Sequence, residues 1–178
     1  MKYFLALVPP TELAKQIDLF RAEWGPIGLP AHITVKAPNS LSTARLWLPQ
    51  VQAFCQGAAP VPVCLDGIGQ FSSSVVYWRV VSAGVLALHQ SLLAIINPPL
   101  AERTVFFEGP AYVPHLTLAH LSERMNAATL TSVHQCASER WRQPVDFVAQ
   151  IVRVYRSSGT NQAYEPYLDV PLAGKSVA

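Results

Sequence analysis

Two short stretches, LPAHITVKAP (29–38) and YVPHLTLAHL (112–121), constrain this 178-residue chain more than any other feature. Each sets a histidine and a threonine two positions apart within an apolar run: His32 with Thr34, and His115 with Thr117. Side chains of an extended strand point to opposite faces with period two. Ile33 and Val35 are therefore expected to bury while His32, Thr34 and Lys36 share the other face. Leu116 and Leu118 likewise bury, leaving His115 and Thr117 together. A chain with five histidines and eight threonines would give roughly 0.2 such pairs by chance. Two of them, 83 residues apart and both apolar-flanked, point to an internal duplication. Brought side by side, the two strands would line one groove with two imidazoles and two hydroxyls.

The rest of the chain alternates element types. Residues 2–8 read as a strand. Residues 10–25 read as a helix, with Thr11 as a cap, Leu13, Ile17 and Phe20 at helical spacing, and Gly25 as its stop. A second helix is expected from a Ser42 cap, kinked or delayed by Pro49. Residues 61–71 and 74–81 read as a hairpin turning near Ser72–Ser74. Residues 84–97 form an apolar helix ended by Asn97 and two prolines, followed by a loop over 98–113. A helix over 122–141 would start at a Ser122 cap, with Glu123 near the positive end of its dipole. Strands at 145–157 and 163–172, separated by the turn SGTNQ, close the chain.

Composition narrows the function. Hydrophobic residues make up 51% and charged ones 13%, the mark of a chain that buries a core. A net charge of +2 is too small for a duplex-DNA coat but compatible with a partner carrying a few phosphates. Cys55, Cys64 and Cys136 show no pairing or metal-ligand spacing, which predicts buried thiols in a reducing cytosol. The apolar N-terminal run is too short for a secretory segment, and no run reaches the ~18 residues of a membrane span. A cytoplasmic location with no membrane partner is expected.

Histidine titrates near neutrality, so one neutral imidazole can take a proton while one imidazolium gives one. Each such role is typically worth ~10²–10⁴ in rate. A threonine hydroxyl two residues on can donate to a non-bridging phosphoryl oxygen. That chemistry requires no metal or other cofactor, and no carboxylate cluster stands ready to hold a metal.

At these residues the chain resembles the 2H phosphoesterase superfamily, and within it the 2'-5' RNA ligase and cyclic phosphodiesterase branch. The resemblance rests on His32-Ile33-Thr34-Val35 and His115-Leu116-Thr117-Leu118. It extends to the opening strand YFLALVPP, the run VVYWRVVSAGVLALHQSL and the closing VRVYRSSGTNQAYEPYLDVPL. It implies an α+β fold of two pseudo-symmetric lobes of antiparallel sheet, with helices outside and a central cleft, all within one bilobed domain over 1–178. It implies His32 and His115 as the catalytic pair and Thr34 and Thr117 as ligands of the phosphoryl oxygens. The implied reaction opens a 2',3'-cyclic phosphate at an RNA end or on a nucleotide, with ATP-independent 2'-5' joining as the related activity. A non-catalytic RNA-end or nucleotide-phosphate binding module, or an enzyme for a small substrate such as ADP-ribose cyclic phosphate, are the competing readings.

Ligase-type members often carry an arginine shortly after the second motif, where this chain has Ala119-His120. Lys36 is the candidate replacement charge, and Tyr112 a candidate substrate contact. Phe71, Tyr77 and Trp78 fit either a base-stacking platform or the core. His89 and His134 read as packing residues, His120 as surface or structural, and Arg153 and Arg156 as surface.

Overall fold

The computed structural model describes residues 1–26, 28–122, 125–159 and 162–174. Along the chain run β1 (Lys2–Leu7), α1 (Thr11–Ala22), β2 (Ile33–Lys36), α2 (Leu48–Gly57), β3 (Val61–Phe71) and β4 (Val75–Val81). There follow α3 (Ala83–Ile96), α4 (Leu100–Val105), β5 (His115–His120), α5 (Ala127–Arg140), β6 (Val145–Ala149), β7 (Ile151–Ser157) and β8 (Glu165–Pro171). The strands form one sheet in the order β6-β3-β4-β5-β2-β1-β7-β8. Every neighbouring pair is antiparallel.

The α+β architecture of two related halves is the one observed, and the halves share a single sheet. Each half repeats strand, helix and motif strand: β1–α1–β2 on one side, β4–α3–β5 on the other. The motif strands meet at the middle, where β2 pairs with β5 through Ile33 and Leu116. The outer strands are exchanged. β3 extends the half that contains β4, whereas β7 returns to pair with β1.

The alternation decides which face is covered. Tyr3, Leu5, Leu7, Ile33, Val35, Trp78, Leu116 and Leu118 join buried residues of α1, α2, α3 and α5 in one continuous core. Each fully buried side chain of this size contributes about 1.5–3 kcal/mol. The residues between them, including His32, Thr34, His115 and Thr117, lie on the opposite face. There Phe4, Ala6 and Tyr155 form a separate small cluster.

Several local expectations change. Thr11 is the first helical residue and no side chain caps α1, while Pro49 delays α2 by occupying its first turn. Ser82 caps α3 by accepting from the Val85 N–H, and Asn97 ends it in the left-handed region. The cap of α5 is Asn126 rather than Ser122, its side chain accepting from the Thr129 N–H. Glu123 and part of the SGTNQ turn lie outside the described residues. The stretch 98–113 holds the short helix α4 and a single 3₁₀ turn, Gly109–Ala111. Residues 145–157 are two strands, because at Gln150 the chain passes from pairing with β3 to pairing with β1. Of the cysteines only Cys55 is buried; Cys64 is half-buried and Cys136 exposed, and all three are free. Among the described residues no helix is long and apolar enough to cross a membrane.

Candidate active site

The register at the seam arranges the quartet. With Ile33 opposite Leu116, one further step either way sets His32 across from Thr117 and Thr34 across from His115. Directly opposed residues of an antiparallel pair share a face, with Cβ atoms ~4.5–5.5 Å apart. Each imidazole therefore has the other motif's hydroxyl as its cross-strand neighbour.

The two imidazoles are held alike. The His32 Nδ1–H donates to the Pro30 carbonyl at 2.7 Å, and the His115 Nδ1–H to the Val113 carbonyl, also at 2.7 Å. A carbonyl can only accept, so Nδ1 carries the hydrogen and Nε2 is the atom that gains or loses a proton. Burial pushes both histidines below their ordinary value. The bond to Pro30 opposes this at His32, while the charges of Arg21 and His115 add to it.

An aromatic pair stands beside each ring. Phe4 and Tyr155 stack at 4.6 Å, with centroids 5.4 Å and 5.5 Å from that of His32. Phe71 and Tyr77 stack at 4.1 Å, edge-on to His115 at 4.9 Å and 5.4 Å. Phe71 and Tyr77 thus belong to the site face, whereas Trp78 is buried in the core. Gly69 makes this possible, since a Cβ there would stand 2.6 Å from the Tyr77 ring. The cradle of Phe4 and Tyr155 was not read from the sequence. Its signal is the alternation in KYFLAL, where Phe4 falls out of phase with Leu5 and Leu7.

Asp18 and Arg21 of α1 were missed as well. Arg21 donates to the Leu29 carbonyl at 2.8 Å and pairs with Asp18. Asp18 accepts from the Ala31 N–H at 3.2 Å. Together they fix the segment whose Pro30 carbonyl orients His32. Pairing at i, i+3 on a helix announces an ion pair, but not the segment it grips.

Lys36 does not provide the replacement charge. It is completely buried, its Nζ 2.8 Å from the Glu108 carboxylate and bonded to the Asn39 side chain and to two carbonyls. The Glu108 carboxylate also accepts from the Ala37 N–H and from Asn39. With every donor satisfied below the surface, this ammonium has nothing left for a substrate. Tyr112 is similarly committed. Its hydroxyl donates to the Thr34 carbonyl at 2.7 Å and its ring stacks on His89 at 3.8 Å. Its contact is with the backbone of the motif strand. His89 is the packing residue expected: Nδ1–H donates to the Val35 carbonyl and Nε2 accepts from the Gly109 N–H.

Arg153 shares the site face through its cross-strand neighbour Ala6, but its Nε and one Nη donate to the two carboxylate oxygens of Asp169 at 2.6 and 2.7 Å. Arg156 pairs with Glu165. Exposed His120 continues β5 beyond the quartet. Among the described residues no three His, Cys, Asp or Glu side chains group as metal ligands.

The profile of the 2'-5' RNA ligase superfamily matches residues 9–159. No curated protein sequence matches the chain. Among solved structures, TT0787 of Thermus thermophilus is 18% identical, with 98% of this chain and all of that one aligned at a TM-score of 0.64. E. coli LigT complexed with 3'-AMP is 20% identical over 96% of this chain and 97% of its own, at 0.60. E. coli LigT complexed with NADP+ is 18% identical over 96% of both chains, at 0.54.

Proposed function

The chain belongs to the 2'-5' RNA ligase superfamily, and from that premise we propose that it is a metal-independent phosphodiesterase opening 2',3'-cyclic phosphates by His/His acid–base catalysis. The observation that carries the reading is the matched pair of imidazoles. Both have Nδ1 tied to a carbonyl two residues back, so both present Nε2 as the working nitrogen.

With the cyclic phosphate between the motif strands, one neutral imidazole takes a proton from water as its oxygen attacks phosphorus. The P–O bond to one ribose oxygen breaks, and the other histidine, as imidazolium, protonates that oxygen. Thr34 and Thr117 donate to the non-bridging oxygens and stabilise the charge that develops there. Which histidine acts as acid follows from the orientation of the ribose. If a ribose hydroxyl replaces water as nucleophile, the same groups join two strands through a 2'-5' bond, and the reverse reaction cleaves it.

The nucleotides in the LigT structures, 3'-AMP among them, support a ligand with phosphate on the ribose. The test is turnover of nucleoside 2',3'-cyclic phosphates in the presence of EDTA. Wild type should retain its rate, while His32→Ala and His115→Ala should each lose at least ~10²-fold. Abolition by EDTA, or wild-type turnover in both variants, overturns the proposal.

A further inference from the structure

Beyond the quartet, the site face continues onto β4 and β3, where a bulge seats one arginine. Leu65 pairs with Val80 and Ile68 with Trp78, so Asp66 and Gly67 together oppose the single residue Arg79. Such a two-for-one bulge re-aims the side chain it faces and is frequent beside active sites. Gly67 has φ +73°, and a Cβ there would stand 2.5 Å from an Nη of Arg79. The guanidinium therefore rests against β3 in space that a side chain at position 67 would take from it. Its Nε–H donates to the Asp66 carbonyl at 3.1 Å.

Arg79 is the cross-strand partner of His115, and Tyr77, two residues earlier, is that of Thr117. Gly67 and Gly69 thus let Arg79 and Tyr77 lie side by side over one strand, next to the Phe71 ring that abuts His115. Unlike Lys36, Arg153 and Arg156, Arg79 is exposed and has no carboxylate partner among the described residues. A guanidinium has five N–H donors, and one is used. A planar fork with free donors suits phosphate oxygens.

We propose that Arg79 binds a second phosphoryl group of the substrate, on the His115 side of the reacting one. Resting on the cyclic phosphodiesterase reading, this narrows the substrate class to cyclic phosphates that bear a further phosphate. That group is either the next phosphodiester of an RNA end or a 5'-phosphate or pyrophosphate on a nucleotide.

The experiment compares four substrates: a nucleoside 2',3'-cyclic phosphate with a free 5'-hydroxyl, the same compound with a 5'-monophosphate or a 5'-diphosphate, and a dinucleotide ending in the cyclic phosphate. In wild type kcat/KM should favour at least one compound with the added phosphate. Arg79→Ala should reduce that preference about 10-fold or more, the scale of a hydrogen bond to a charged group, chiefly through KM. Arg79→Lys should restore part of it. Which compound gains the preference distinguishes the RNA source from the small nucleotide. Affinity for the corresponding 2'- and 3'-phosphorylated products, with and without the added phosphate, is measured alongside. It reports the Arg79 preference even if no cyclic substrate turns over, the result that would sink the enzymatic reading alone. A ratio unchanged by Arg79→Ala, in turnover and in binding, overturns the inference.

Discussion

Thr34 faces His115 across the β2–β5 seam, and the same register faces Thr117 with His32. Each imidazole therefore has the other motif's threonine as its cross-strand neighbour. Removing either hydroxyl, by Thr34→Val or Thr117→Val, should lower kcat/KM about 10–100-fold, as expected for a hydrogen bond to a charged oxygen. In steady-state kinetics, Thr34→Val combined with His115→Ala should cost less than the sum of the two single losses. Strict additivity would show that the facing pairs do not act together.

Activity should peak on the acid side of neutrality. The base must be neutral, so kcat/KM rises with pH through its pKa; the acid must be protonated, so kcat/KM falls as pH passes through its pKa. Burial lowers both histidines from 6.5. Both limbs therefore lie below that value in the free enzyme, and the maximum does too. A profile of kcat/KM from pH 4.5 to 9 checks this, and a maximum above pH 7.5 contradicts it.

Lys36 should matter for folding. Lys36→Met leaves the Glu108 carboxylate buried without its cation, a change that costs about 3–5 kcal/mol. Adding Glu108→Gln should recover part of that loss. Urea denaturation of the two variants measures both. A Lys36→Met protein of near wild-type stability with a large rise in KM would instead return Lys36 to the substrate.

His89 should make stability depend on pH. Its Nε2 accepts from the Gly109 N–H, so a proton on that atom breaks the bond, and burial lowers its pKa in the fold. A depressed folded pKa contributes stability that is present above the unfolded value of about 6.5 and lost as pH falls through the folded one. Melting temperatures at pH 7 and pH 5 should therefore drop for wild type and drop less for His89→Gln. Equal drops would relieve His89 of this role.

The period-two alternation made the quartet and its neighbours across the seam legible, because it fixes which face a residue takes. It does not fix what arrives to cover that face. Lys36 has the phase of His32 and Thr34 in the sequence, but the β1–β2 register slips beside it. Thr34 stands opposite Ala6 and Lys36 opposite the core residue Leu5, where Glu108, contributed by a distant loop, meets it underground. The break at Gln150 was in the sequence all along: Phe147 and Ala149 bury on odd positions, Val152 and Val154 on even ones. That slip of one residue marks a strand ending and another beginning. The seats for Tyr77 and Arg79 were harder to see, since a glycine in a strand announces a close approach without naming the visitor.

The exchange of outer strands has a consequence for a chain that emerges from its N-terminus. β1 is the first strand made, yet one of its two neighbours, β7, is the last but one. The other half has all its strands but β6 by residue 120. His115 can therefore meet Phe71 and Tyr77 while the C-terminal third is still being synthesised. His32 must wait for Tyr155 before its own wall of rings is complete. Of two matched imidazoles, one is housed early and the other nearly last.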